Sequence, residues 1–334
     1  MRKTVSFTRH SANVFFHILT RCNLRCRHCY INPDQHGHGT LDIDTIDRWL
    51  AVFARRHSSP NVIFLGGEPT LHPDLAHAVK RSRELGYQSV TIDTNGYLFH
   101  DILDRVTPLE VDYFSFSLDG PDAQVNDPLR GQGSFEQCTQ GVMAAKRRGF
   151  AVSLIYTVSR ANIDHLARMP SLLAELGVDR FFIQVIGVRG QWTADTRRRD
   201  SLAQVDRETW LAVVPRVAEA AARLGITATF PKVFLEPQEP FECAGLVADN
   251  YFIFPNGRVY RCPLCEDYPM HSLEMRDDRL VETAKINEAD LFPLSIPEGC
   301  VMNRIIQPCN LAPSGGGEPP YRIACCMLKE EISL

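Results

Sequence analysis

CNLRCRHCY, residues 22–30, places three thiols at C-x3-C-x2-C spacing. A buried structural cysteine behaves as a small hydrophobe among hydrophobes. This segment is the opposite, because Arg21, Asn23, Arg25, Arg27 and His28 make it polar. Soft thiols gathered in a polar loop point to metal binding. A closed zinc site asks for four N or S ligands. His28 sits between two of the cysteines and cannot reach an ion that both neighbours hold, which leaves His36 or His38 as a fourth ligand. The alternative is a cubane iron–sulfur cluster on three thiolates, with one iron open to an external ligand.

Just before the loop, VFFHIL (14–19) is an apolar run of strand length. It opens a series: NVIFLG (61–66), QSVTID (88–93), DYFSFSL (112–118), AVSLIYTV (151–158) and RFFIQVIG (180–187). Stretches of helical period near 42–57, 73–85, 98–106, 134–148 and 162–176 lie between them, and one near 205–224 leads into ITATF (226–230). This alternation predicts an α/β fold with a parallel sheet built from βα units. Six units close most of a barrel or lie in an open sheet; periodicity does not choose. In both, chemistry sits on loops after the carboxyl ends of the strands. CNLRCRHCY follows the first strand, GGEP (66–69) the second, DTNG (93–96) the third and SLDG (117–120) the fourth. Four unusual loops therefore share one rim.

The chain has 334 residues, a formal net charge of −4, 44% apolar and 23% charged residues. That charge provides no global attraction to nucleic acid. No run of about twenty apolar residues and no cleavable signal pattern occur, so a cytoplasmic protein without a membrane span is expected. A reducing cytosol disfavours disulfides for the eleven cysteines. Three fall at 22–29, one at 138 and seven between 243 and 326. Cys138, on a predicted helix, reads as a core residue. Tyr87, Phe181, Phe182 and Trp192 read as core, and Arg197–Arg199 as a solvated loop face.

Composition shifts at PKVFLEPQEPF (231–241), whose prolines mark a linker over 231–242. YFIFPNGRVYRC (251–262) alternates around Pro-Asn-Gly, a hairpin signal. Cys243 precedes the hairpin, and Cys262 and Cys265 close it. The tail, which includes SGGGEPP (314–320), has little apolar core and needs metal as a staple. The expected organisation is an extension over 1–12, a core domain over 13–230, the linker, and a small cysteine-rich domain over 243–334.

C-x3-C-x2-C after the first strand, Tyr30 behind the last cysteine, and GGEPTLHPD (66–74) after the second strand resemble the radical S-adenosylmethionine (SAM) superfamily. The resemblance covers roughly residues 13–230 and implies a partial (βα)6 TIM-type barrel. It implies a [4Fe–4S] cluster on Cys22, Cys26 and Cys29, with SAM chelating the open iron. Reduction then cleaves SAM to methionine and a 5′-deoxyadenosyl radical that abstracts a substrate hydrogen. By the same resemblance His28 lies against the adenine, Tyr30 joins the cofactor site, and Gly66, Gly67, Glu68 and Pro69 bind the SAM amino group. The residue types fit: glycines admit close approach and positive φ, and Glu68 receives an ammonium. Thr94, Asn95, Ser117 and Asp119 are placed to hydrogen-bond ribose hydroxyls and carboxylate. NDPLRGQGSF (126–135) resembles an HDxxR…GSF segment of the family, with Asn126 where His is common. Arg130 there binds the SAM carboxylate or pairs with an acid.

Cys243-x13-Gly257-x4-Cys262 resembles the opening of SPASM-type auxiliary domains, but the dense cysteine run that usually follows is absent. Cys300, Cys309, Cys325 and Cys326 are widely spaced, closer to a reduced twitch form. One auxiliary [4Fe–4S] cluster is expected on Cys243, Cys262, Cys265 and a later cysteine, with Cys309 and Cys325 as candidates. One of the adjacent pair Cys325 and Cys326 is expected to pack. With no flavin or nicotinamide fingerprint, a flavodoxin- or ferredoxin-type electron donor is implied. The substrate is a peptide or protein side chain, or a small biosynthetic intermediate; the short stretch before Cys22 leaves little room for a leader-peptide domain. The competing reading is a non-catalytic zinc- or Fe–S-binding interaction protein.

Overall fold

A computed structural model describes residues 11–97, 101–187, 189–190, 203–236, 238–307 and 322–333. Trp192, Arg197–Arg199, Cys309 and the SGGGEPP segment lie outside the described residues. Seven strands run parallel in chain order: β1 (Ala12–His17), β2 (Asn61–Leu65), β3 (Ser89–Thr94), β4 (Tyr113–Ser117), β5 (Val152–Val158), β6 (Arg180–Val185) and β7 (Thr227–Pro231). Each matches an apolar run. The strands are buried on both faces, as a parallel sheet under crossover helices must be. Phe16 and Phe64 are fully buried on the helix side, with ring centroids 6.4 Å apart. Phe15 and His17, one residue out of phase, face the other way into a cavity.

The crossover helices follow their sequence signals. The helix Ile43–Arg56 begins where Asp42 accepts from Thr45 N–H at 2.7 Å, a cap worth about 1 kcal/mol. Its buried Ile46, Trp49, Leu50 and Phe53 sit at helical spacing. The stretch near 98–106 yields one helical turn, Ile102–Arg105. The stretch near 162–176 divides into a 3-10 turn, Ile163–Arg168, and a helix, Met169–Glu175, with Pro170 in its first turn. A helix over Ala123–Arg130 was not expected; its N-cap Asp122 accepts from Val125 N–H at 3.0 Å and it carries Pro128 inside.

The sheet stays open, and residues beyond the proline-rich stretch extend both of its edges. After the short β8 (Phe234–Leu235), β9 (Asp249–Ile253) adds to β1 in parallel, Ala12 opposite Asp249. The hairpin forms as its turn chemistry predicts: β10 (Arg258–Tyr260) returns through Pro255-Asn256-Gly257, with Gly257 at φ +84°. β11 (Leu273–Arg276) and β12 (Arg279–Glu282) continue outward. β13 (Arg322–Ile323) pairs with β8, and β14 (Lys329–Ile332) lies antiparallel along β7, Lys329 opposite Pro231.

Candidate active site

Loops following the parallel strands gather on one rim, and backbone contact locks the first two together. Gly67 N donates to Leu19 O and Glu68 N to Arg21 O, each at 3.0 Å. A Cβ on Gly66 would stand 2.7 Å from Leu19 O, and one on Gly67 2.3 Å from Arg21 O. Space is what requires glycine here. Neither residue has a positive φ, which corrects that expectation: the chain stays in ordinary backbone and the neighbouring strand exit presses on it.

This contact holds the cysteine loop beside Glu68. Asn95 Nδ2 donates to Asn23 Oδ1 at 2.9 Å and approaches Cys22 Sγ at 3.7 Å. From the other side Arg27 N donates to Leu129 O at 2.8 Å, and Cys26 Sγ lies 3.7 Å from Arg130 O. Cys22, Cys26 and Cys29 all line one cavity of about 380 Å³. Burial pushes the Cys26 thiol up to about 11, so it keeps its proton unless a cation replaces it. His36 is removed as a fourth ligand: its Nδ1 accepts from Asn32 N–H at 3.0 Å and its Nε2 donates to Glu266 O at 3.0 Å. His38 is exposed.

Of the other expected residues, His28, Tyr30, Gly66, Gly67 and Glu68 line the cavity, as do Thr94, Asn95, Ser117 and Arg130. Pro69 and Asp119 are buried and do not line it. Pro69 begins a 3-10 turn. Glu68 accepts from Thr70 N (3.1 Å), Thr70 Oγ1 (2.6 Å), Thr94 Oγ1 (2.8 Å) and Asn95 N (2.7 Å). Burial still pushes its carboxyl up, because those donors are neutral. Asp93, at the end of β3, also lines the cavity, and its Oδ1 has no partner. Burial, and then Glu68, push Asp93 up to about 7.

Asp119 organises the fourth loop from beneath. Its Oδ2 lies 2.6 Å from Arg130 Nε and 3.1 Å from His28 Nε2. Its Oδ1 accepts from Thr157 N–H at 2.7 Å. Burial pushes this carboxyl up, but Arg130, His28 and the Thr157 N–H outweigh it and hold it at about 2. Asn126 braces the loop, accepting from Asp119 N–H at 2.8 Å and donating to Ser134 Oγ at 2.8 Å. The position where the family has His is thus a buried amide that holds the Asp119 backbone. Behind the cysteines, His17 Nδ1 lies 2.9 Å from the Ile253 carbonyl. A carbonyl only accepts, so Nδ1 carries the proton and Nε2 accepts from Tyr30 O–H at 2.8 Å. Burial, and then His36, pull His17 down to about 3, so the ring is neutral.

The far wall comes from the tail. Cys243 and Cys325 are hydrogen-bonded to each other, and that bond raises Cys243 and lowers Cys325. A hydrogen bond with Cys265, and then burial, push the Cys262 thiol up, and Cys265 Sγ lies 3.6 Å from Met302 Sδ. Cys300 and Cys326, both close enough to Cys325 and Cys262 to feel their charge, line the cavity. Among the described residues no three Cys, His, Asp or Glu side chains converge on a point one metal ion would fill. Cys138 is buried, as expected, with Tyr87 and Phe181, whereas Phe182 reaches the cavity. Sequence reasoning missed Asp93, although DTNG begins with it, and it missed Lys329; Cys300 and Cys326 it named among the later cysteines without assigning them. Lys329 also lines the cavity, and burial pulls its ammonium down to about 8.

Residues 16–173 match the Radical SAM superfamily. Pre-heme d1 synthase of Dinoroseobacter shibae is 33% identical over 215 residues, 64% of this chain and 52% of that protein. Fe-coproporphyrin III synthase of Methanosarcina barkeri is 31% identical over 185 residues, 53% of this chain and 45% of that protein. The chain thus spans about half the length of these curated relatives. Among solved structures, Streptococcus suis SuiB is 15% identical with a TM-score of 0.62, over 90% of this chain and 67% of that one. SuiB has also been solved bound to S-adenosylmethionine. At that identity the likeness speaks for the fold. No helix among the described residues is long and apolar enough to cross a membrane. Motif order, open parallel sheet and family match agree: residues 16–173 form a radical SAM superfamily domain.

Proposed function

We propose that this protein is a radical SAM enzyme that cleaves SAM reductively and removes a hydrogen from a small biosynthetic intermediate. The observation that supports it is the convergence of Cys22, Cys26 and Cys29 with Glu68 and Asp93 on one cavity. The donor set fits the cofactors. Three soft thiols that do not converge on one point suit a cubane, where each thiolate takes its own iron. A zinc ion needs its sulfurs about 2.3 Å away, hence close together. Two buried carboxylates without an ion-pair partner among the described residues suit a cationic ligand.

When bound, the cluster and SAM supply an electron that breaks the sulfonium and a carbon radical that takes the substrate hydrogen. Glu68 receives the SAM ammonium, and Thr70, Thr94 and the Asn95 N–H hold its carboxylate in place for that contact. Arg130 reaches the SAM carboxylate with its orientation set by Asp119, which also holds His28. Phe15, Leu65, Ile155 and Phe182 give the cavity an apolar lining for the substrate. The tail thiols Cys243, Cys262, Cys265 and Cys325, with Cys300 and Cys326 beside them, hold an auxiliary cluster on the far wall. A flavodoxin- or ferredoxin-type donor provides the electron. The names of the two curated relatives as synthases of small molecules favour a small substrate over a peptide.

Anaerobically reconstituted protein with dithionite is expected to convert SAM to 5′-deoxyadenosine and to absorb broadly near roughly 400 nm. Cys26→Ala should lose that activity and the corresponding iron. Equal 5′-deoxyadenosine formation by the variant, or colourless protein with stoichiometric zinc, would overturn the proposal.

A further inference from the structure

The basic side chains that line the cavity differ in how they are balanced. Arg130 pairs with Asp119, and Arg189 pairs with Glu266 while lying over the Tyr30 ring at 4.7 Å. Among the described residues Lys329 has no carboxylate partner; the charges that favour its ammonium are those of Cys326 and Cys325. It stands on β14, at the opposite edge of the parallel run from β1, and so faces the cysteine loop from across the cavity. A half-buried ammonium without a carboxylate partner keeps a desolvation cost that a bound carboxylate would offset.

Its surroundings define the shape of the missing partner. Lys329 Nζ donates to Gln184 Oε1 at 2.7 Å and to Cys326 O at 2.9 Å. An ammonium has three N–H donors and no acceptor, so the Gln184 oxygen must face it and one ammonium donor remains. Gln184 also lines the cavity, and its Nε2 makes no hydrogen bond among the described residues. An ammonium N–H and an amide N–H therefore stand side by side, a pair matched to the two oxygens of one carboxylate.

We propose that Lys329 and Gln184 form the carboxylate-binding site for the substrate, whose reacting carbon then lies between that wall and the cysteine loop. The proposal rests on the radical SAM reading above and narrows its substrate to carboxylate-bearing molecules.

The test uses the full chain with its clusters and saturating SAM, so that Arg130 is occupied and does not report. Fluorine NMR titrations compare trifluoroacetate, trifluoroacetamide and trifluoromethylphosphonate. Trifluoroacetate should bind wild type roughly tenfold more tightly than the amide, the scale of one charge-assisted hydrogen bond. Lys329→Met should erase that preference and Lys329→Arg should retain part of it. Gln184→Leu, which keeps the charge, should reduce it a few-fold, with thermal midpoints confirming that each variant folds. Equal affinity for acid and amide in wild type, the preference surviving in Lys329→Met, or phosphonate outbinding carboxylate would each overturn the inference. Wild-type 5′-deoxyadenosine formation is measured on the same sample. Its absence defeats the radical SAM reading, whereas its presence without the carboxylate preference defeats only this inference.

Discussion

Replacing Asp119 by Asn tests whether the site is organised from beneath. The side chain is fully buried, and Arg130, His28 and the Thr157 N–H hold its carboxyl at about 2 instead of 3.8. At about 1.36 kcal/mol per pKa unit this corresponds to roughly 2 to 3 kcal/mol of stability. The folded value is depressed, so the stabilisation is complete above the unfolded value of 3.8 and is lost as pH falls through about 2. The substitution also strands the Arg130 guanidinium, and breaking a buried pair costs about 3 to 5 kcal/mol. Asp119→Asn is therefore expected to lose about 2 to 5 kcal/mol at pH 7 in urea titrations of the metal-free chain followed by tryptophan fluorescence. Removing the stranded charge as well, in Asp119→Asn with Arg130→Gln, should recover part of that loss. About half of the linkage contribution is gone by pH 3, so the gap between wild type and variant should narrow by roughly 1 kcal/mol. A loss under about 0.5 kcal/mol at pH 7, strict additivity of the two substitutions, or a gap independent of pH would refute the reasoning.

Gly67→Ala drives a Cβ to 2.3 Å from the Arg21 carbonyl, which is backbone and cannot swing aside. It should cost about 1 to 3 kcal/mol and, by displacing Cys22, lower iron retention; unchanged iron and stability would contradict the close-approach account. Asp93→Asn acts in the opposite sense. Because burial raises this carboxyl to about 7, ionising it penalises the fold progressively from about pH 4 to pH 7. The SAM-free variant should gain about 1 to 3 kcal/mol at pH 8, less than full conversion because water enters the cavity, and much less at pH 4. SAM affinity, measured by equilibrium dialysis, should fall; a variant less stable than wild type at pH 8 would sink the idea.

The parallel core was legible because strand length, double burial and crossover period are local properties. The run NVIFLG reads as a buried strand in any context, and Asn61–Leu65 is one. The rim was legible too, since CNLRCRHCY, GGEP, DTNG and SLDG each follow a strand. What the loops do to each other was not. Asp119 in SLDG looks like a ligand for ribose until Arg130 and Thr157 are brought against it from far along the chain. Gly66 and Gly67 invite a positive-φ reading, and only the approach of Leu19–Arg21 shows that space decides. β11, β12 and β14 escaped because they are four-residue segments rich in charge: LEMR, RLVE and KEEI are too short to give a periodic signal, and β12 and β14 are the sheet's outer strands. Lys329 was hidden with β14, and its pairing with Gln184 from β6 exists only in three dimensions.

Those edge strands also link the tail to the chemistry. An open parallel run exposes unpaired backbone at β1 and at β7, a liability that proteins cover. Here β9 covers the first edge and β14 the second, and the tail thiols lie next to both: Cys243 precedes β9, while Cys325 and Cys326 precede β14. Cys243 meets Cys325 across that distance in sequence. A ligand drawing these thiols together would fasten the two edge strands to one point. Metal binding in the tail would then be coupled to closure of the sheet as well as to local order. The same fastening sets Lys329 and Cys326 on the wall facing Cys22, Cys26 and Cys29. The cavity's shape, its charge asymmetry and the stability of the sheet therefore depend on one set of tail contacts.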